Sequence, residues 1–413
     1  MLTVISDTHL TDGTSGQTIN HKAFDIFRQQ VAGLAEKRKA STFELVLLGD
    51  IFDLIRSEKW IATDVRPWNE KSKEQSSVVM DILTDILEQN KPALAILRGL
   101  LDDIGNQNQC RKATLTYMMG NHDWLINRYP SARQAVGQAL GLTGNAPFQW
   151  MPLVRRDHRV VMRHGDRYDE YNYMEEEGRD SSSFGDAIVI ELLDRFPWKC
   201  ATALGLPKEH PTIQRLRDID NVRPYGAIPA WVMSVTDRMK DGEAQKVRKA
   251  FIDLFEEFVN NKFVQRFETW NPFDIVDKME AVLVLVRATG ARLTLLQQFG
   301  AMVPTEEGEP LKDRYVKGAR KDLSQNRDVN YVVFGHTHRY RLLPLNRRAV
   351  SGQDNEEIIY FNTGTWRKRF ERATINPHSH EFVSHHVMTH TSFYSGADGT
   401  DRNYEVWHGG LGE

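Results

Sequence analysis

Five short apolar runs in this chain each stop at a cluster of carboxylate, imidazole or amide side chains. Leu2-Thr-Val-Ile-Ser6 runs into Asp7-Thr-His9, and Phe43-Glu-Leu-Val-Leu-Leu48 runs into Gly49-Asp50-Ile-Phe-Asp53. Ala113 to Met119 leads into Gly120-Asn121-His122-Asp123, Arg159 to Arg163 into His164-Gly-Asp166, and Tyr331 to Phe334 into Gly335-His336-Thr-His338. Short apolar runs bounded by turn residues read as buried strands. Layered α/β folds place their chemistry in the loops at strand ends. The pattern therefore predicts an α/β fold whose strand ends converge on one polar site.

The rest of the chain fits that frame. Phe24, Phe27, Val31 and Leu34 space a helix over His21–Arg38 between the first two strands. Residues 56 to 75 are polar, carry Trp60 and Trp68, and read as a surface loop. A long helix is expected over 77–104, a short one over Pro130–Leu140, and strands over Phe148–Leu153 and Arg159–Arg163. From about 170 the pattern turns helical, with cap and turn signals from Ser181-Ser-Ser183 to Asn271-Pro272. Two apolar stripes stand out there: Phe251, Leu254, Phe255, Phe258 and Val259, then Ile275, Met279, Val282, Leu283 and Val286. Strand grammar resumes at Tyr331, and strand-like runs follow at Glu357–Phe361 and Phe382–Met388. The expected organisation is one domain from residues 1–169 and 329–413, interrupted by a helical insertion over 170–328.

Composition excludes several classes. With 413 residues, 40% hydrophobic, 26% charged and a net charge of −3, the chain can bury a sizeable core and lacks a global basic field for nucleic acid. Two cysteines, Cys110 and Cys200, make neither a disulfide framework nor a CxxC pair, so a reducing cytoplasm is expected. No export signal is read at the N-terminus. The longest apolar stretch, around Val282 to Val286, falls short of the roughly 20 residues of a membrane span, which leaves peripheral membrane contact open.

Carboxylate, imidazole and amide without thiolate suit Mn²⁺, Fe or Zn²⁺ in a hydrolytic site better than a structural zinc. The ordered set Asp-x-His, Gly-Asp-x-x-Asp, Gly-Asn-His-Asp, His-Gly-Asp and Gly-His-x-His resembles the calcineurin-like metallophosphoesterase superfamily over residues 1–169 and 329–370. That resemblance implies a four-layer α-β-β-α sandwich carrying two divalent metal ions, with manganese favoured. Asp7, His9, Asp50 and His338 would hold one, and Asp50, Asn121, His164 and His336 the other, with Asp50 bridging. His122 would contact phosphate or protonate the leaving group, with Asp123 orienting it, while Asp53 would act behind the metals. Gly49-Asp-Ile-Phe-Asp-Leu54, His164-Gly-Asp-Arg-Tyr-Asp169, Gly335-His-Thr-His-Arg339 and Phe361-Asn-Thr-Gly-Thr-Trp366 are similar to the bacterial UDP-2,3-diacylglucosamine hydrolase branch. Asp166, Arg163, Arg167 and Arg339 are further candidates for the surrounding shell or for substrate phosphate.

The expected function is hydrolysis of a phosphodiester or pyrophosphate bond by a metal-activated water. The alternatives are a metal-dependent nuclease, or a subunit that keeps the fold mainly as a binding module. The insertion would be a lid, a nucleic-acid clamp, or an interface to a partner or second copy. Simpler readings stand beside these. His158, His210, His378, His380, His385, His386 and His390 read as strand and loop histidines, the insertion's Trp and Phe residues as core, and the arginines from 155 to 167 and 367 to 369 as solvated faces.

Overall fold

The apolar runs form strands at the expected places. In the computed structural model, which describes residues 1–107, 110–223, 227–268, 313–348, 356–373, 381–398 and 402–411, the first three are β1 (Leu2–Ile5), β2 (Phe43–Leu48) and β3 (Ala113–Met118). Then come β4 (Leu153–Arg155), β5 (Val160–Met162), β6 (Tyr331–Phe334), β7 (Tyr340–Arg348) and β8 (Glu356–Thr363). The last four are β9 (Arg369–Arg372), β10 (Phe382–His385), β11 (Val387–Phe393) and β12 (Tyr404–Gly410).

The molecule is mixed α/β, with helices and two mixed five-stranded sheets. One sheet runs β12-β11-β1-β2-β3 and the other β4-β5-β6-β8-β7, while β9 and β10 make a separate ribbon. β1, β2 and β3 are mutually parallel in that order, as are β5, β6 and β8. The site-bearing strands therefore end on the same side of each sheet. Leu2, Val4, Val46, Leu48 and Met118 of the first sheet share one buried cluster with Val160, Met162, Val333, Ile359 and Phe361 of the second. The alternate residues of the first sheet, such as Leu45 and Leu47, join a cluster with Phe24, Phe27 and Val31 from helix His21–Lys37. Those of the second, Val161, Val332 and Phe334, pack with Tyr315, Val316 and Ala319 from helix Arg314–Gln325. Strands apolar on both faces are what such double coverage requires.

Several boundaries differ from expectation for identifiable reasons. The helix expected over 77–104 is two helices, Lys73–Gln89 and Lys91–Gly105. Asn90 breaks them apart, and Pro92 stands in the first turn of the second, where its missing N–H costs nothing. The expected strand Phe148–Leu153 shrinks to β4, with Gln149 making an isolated bridge to Met118. Phe382–Met388 is split: β10 pairs with β9, whereas β11 crosses to the first sheet beside β1. The expected surface loop at 56–75 has a core, because Trp60 is fully buried with its indole N–H on the Leu54 carbonyl at 2.8 Å.

Residues 184–223 and 227–267 are mostly helical as expected, and Phe184, Phe255, Phe258 and Phe263 form a cluster of their own. They are core. Trp68 stacks on Phe263 at 4.6 Å, and Arg66 and Glu191 pair at 2.5 Å, so segment 56–75 and this helical region share one boundary. The stripe from Ile275 to Val286, Asn271-Pro272 and the histidines His378 and His380 lie outside the described residues. No helix among the described residues is long and apolar enough to cross a membrane. Cys110 and Cys200 are both free and buried.

Candidate metal centre

The five clusters meet at the strand ends. Ligand atoms of Asp7, His9, Asp50 and His338 lie within 4.8 Å of one another, as do those of Asp50, His164 and His336. Asn121 joins the second group, its Oδ1 lying 2.9 Å from His336 Nδ1 and 3.1 Å from His164 Nε2. His9, Asp53 and His122 make a third group at the edge of the first. These buried groups can hold a metal ion.

The convergence is made by loop backbone beyond the strands. Asp7 and His9 lie beyond β1, and His336 and His338 beyond β6. All four, with Asp50, have left-handed backbone, with φ from 45° at His9 to 71° at His336. Only two other non-glycine residues among those described share that conformation. Such backbone costs of order 1 kcal/mol or more per residue and persists where the surroundings impose it. Packing around the site leaves no room for a substitute at Gly49 (φ 86°), where a Cβ would sit 2.6 Å from His164 Nδ1. At Gly120 it would run into Asp50 Oδ1.

Three of the four candidate imidazole ligands are turned by an acceptor. His9 Nδ1 faces Asp53 Oδ2 at 2.9 Å, His164 Nδ1 the Leu48 carbonyl at 2.9 Å, and His336 Nε2 Asp169 Oδ2 at 3.0 Å. Each acceptor takes the ring proton and leaves the other nitrogen's lone pair aimed at the cluster, an arrangement typical of ligating histidines. Asp50 is shared. Its Oδ1 accepts from the His122 backbone N–H at 2.8 Å, whereas its buried Oδ2 has no hydrogen-bond partner among the described residues. His164 Nε2 stands 3.1 Å from that oxygen, outside hydrogen-bonding geometry. An orphaned carboxylate oxygen, an amide oxygen and inward-facing imidazole lone pairs form a donor set for a divalent cation.

Electrostatics agree. Burial opposes ionisation of Asp7, yet His164, His338 and His9 outweigh it and hold the carboxyl well below its usual range. Burial likewise opposes ionisation of Asp50 and Asp53, and neighbouring histidines keep both low. His164 moves the other way: burial disfavours its cation, but Asp50 and Asp7 raise it well above the ordinary value. The negative field that raises a buried imidazole in this way is one that attracts cations.

Some expected roles shift. Asp53, not Asp123, holds the His122 ring, with its Oδ1 2.9 Å from Nδ1. Asp123 instead accepts from Ile51 N at 3.1 Å, Gly120 N at 2.6 Å and Tyr117 Oη at 2.6 Å, tying the two loops together. Burial and Asp50 push its carboxyl up to about 7. His122 is pushed up to about 9, because Asp53 and Asp50 overcome the burial penalty.

The arginines expected near phosphate are engaged elsewhere: Arg163 with Asp322 at 2.7 Å and Arg167 with Glu175 at 2.7 Å. Arg155, Arg156 and Arg159 are paired with Glu44, Asp328 and Glu356. Asp166 is held by Arg179, and Arg339 is exposed. Among the described residues, His158, His210, His385, His386 and His390 belong to no metal-capable group.

Sequence reasoning missed three participants. Asp169, which orients His336 and is itself bonded by Arg314 at 3.1 Å and Tyr315 at 3.2 Å, stood inside a motif but carried no separate signal. Arg223 reaches the site from the helical region, its Nη2 2.9 Å from His338 Nδ1. From the turns that follow Asp169, Asn172 takes the Asn121 amide N–H at 3.3 Å, which turns the amide oxygen toward the cluster. No protein-family model matches this chain, and no curated protein matches it.

Proposed function

We propose that the chain is a phosphoesterase of the calcineurin-like metallophosphoesterase type, hydrolysing a phosphodiester or pyrophosphate bond with two divalent cations that share Asp50. The observation that carries this reading is the membership of Asp50 in both donor groups, one oxygen pinned by His122 N–H and the other unsatisfied. Asp7, His9, Asp50 and His338 would hold one cation; Asp50, Asn121, His164 and His336 would hold the other. The apolar cluster between the sheets, with helices packed on their outer faces, supports the four-layer sandwich that goes with this activity.

Bound cations supply Lewis acidity toward phosphoryl oxygens and water. The chain's own groups do the rest. With Nδ1 committed to Asp53, His122 offers Nε2 to substrate. In the absence of cations Asp53 and Asp50 raise its pKa to about 9 against burial, and as an imidazolium the ring could stabilise a phosphoryl oxygen or protonate the departing one. The described residues between 170 and 268 act in this reading as part of an insertion that walls the site, since Asn172 and Arg223 both reach ligand side chains.

The test is hydrolysis of bis(p-nitrophenyl) phosphate, a UDP-linked pyrophosphate and single-stranded DNA with Mn²⁺ present, beside His122→Ala. At least one substrate should be cleaved, and His122→Ala should keep its metal and lose most turnover. Full cation occupancy without cleavage of any of the three would overturn the reading.

A further inference from the structure

His338 is the exception among the four imidazoles. Where His9, His164 and His336 each face an acceptor on the side away from the cluster, His338 Nδ1 faces a guanidinium. Arginine only donates. His338 Nδ1 must therefore be the acceptor, and the neutral ring carries its proton on Nε2. That proton has a destination, because His338 Nε2 lies 2.8 Å from His9 Nε2, whose own Nδ1 proton is given to Asp53. Arg223, His338, His9 and Asp53 thus form one directed chain in which every donor meets an acceptor.

The same chain is incompatible with ligation. A neutral imidazole that binds a cation through Nε2 carries its proton on Nδ1, and at His338 that proton would meet an Arg223 N–H head-on. We propose that Arg223 is a latch on the site: its contact with His338 and cation binding by His338 exclude one another. Loading the site removes the proton from Nε2, places one on Nδ1, and expels the guanidinium. This inference rests on the reading that the cluster binds divalent cations, and makes Arg223 a positioning residue for His338.

The latch is supplied by the helical region and stays anchored when it opens. Arg223 N–H donates to the Phe370 carbonyl at 2.9 Å, and its Nη1 donates to the Asp220 carbonyl at 2.6 Å. Asp220 is in turn buried between Arg56 at 2.8 Å and Arg367 at 3.0 Å. Cation occupancy is thereby communicated to residues 218–223 through one side chain.

Histidine-selective ¹⁵N labelling distinguishes the tautomers, with the His338 signal identified by its loss in His338→Gln. Chelator-treated wild type should show the proton on Nε2, and Zn²⁺ should move it to Nδ1. Arg223→Gln, whose amide oxygen can accept, should show Nδ1–H before any cation is added. In calorimetry this variant should bind Zn²⁺ roughly tenfold to a hundredfold more tightly than wild type, the range expected for release of one charged hydrogen bond.

Arg369→Gln is the control for charge alone, because Arg369 donates to the His338 carbonyl at 2.9 Å and not to the ring. An equal gain in both variants would overturn the latch, as would Nδ1–H in the chelated wild type. Zn²⁺ binding with an unchanged His338 tautomer sinks the latch alone. No cation binding by wild type or variant would sink the metal-site reading, and the latch with it.

Discussion

Replacing Asp53 by Asn removes one negative charge from between His9 and His122 while keeping the size of the side chain. The carboxylate accepts from both rings at 2.9 Å, and the amide can accept from only one. In the metal-free protein His122 is pushed up to about 9 against an ordinary 6.5, with Asp53 the largest of the groups that raise it against burial. Without that charge, burial and the remaining Asp50 oppose each other and the midpoint falls toward 6.5. A fall of about 2.5 units is worth about 3 kcal/mol of preference for the imidazolium. The sign for stability follows from the raised folded-state value. The contribution is fully present below about pH 6.5 and is lost as pH rises through about 9. Chelated wild type should therefore lose on the order of 3 kcal/mol over that window, and Asp53→Asn should lose much less. Ring titration by NMR with chelator present, beside urea unfolding at the two ends of the window, measures both quantities. An unchanged His122 midpoint in Asp53→Asn would refute the assignment of Asp53 as its partner. At saturating Mn²⁺ the variant should still bind both cations, because the amide oxygen can keep the His9 ring turned.

Asp50→Asn keeps one coordinating oxygen but loses the charge that offsets repulsion between two adjacent cations, so it should lose at least one metal per chain and nearly all activity. Elemental analysis showing two full-occupancy metals in that variant would end the shared-carboxylate assignment. Arg163→Met should leave turnover per folded molecule unchanged, since the guanidinium is spent on Asp322, but should cost about 3 kcal/mol by stranding a buried carboxylate. Equal urea midpoints for wild type and variant would refute that.

The five clusters were legible in the sequence because metal chemistry is carried by residue type and each cluster stood where an apolar run stopped, whereas the choice of donors within them is what the resemblance to the metallophosphoesterases implies. The structure brings Asp7, His9, Asp50, Asn121, His164, His336 and His338 together. Their conformation was not legible. The side chains converge through left-handed backbone that only the packed loops impose. The pairing of the arginines beside His164 was not legible for a related reason, since the acids that neutralise them, Glu44, Asp328, Glu356 and Asp322, are distant in sequence.

A donor set becomes a working site only when each ring nitrogen has the right proton, and that is decided by what faces the ring from behind. Of the four groups that do this, Asp53 was visible from its motif. The Leu48 carbonyl is a backbone atom and Asp169 one acid among many, while Arg223 belongs to a helical stretch with no motif at all. Three of the four acceptor-or-donor choices favour inward lone pairs, and the fourth opposes one. Tautomer control at His338 is therefore where sequence-level ligand matching and the folded site part company.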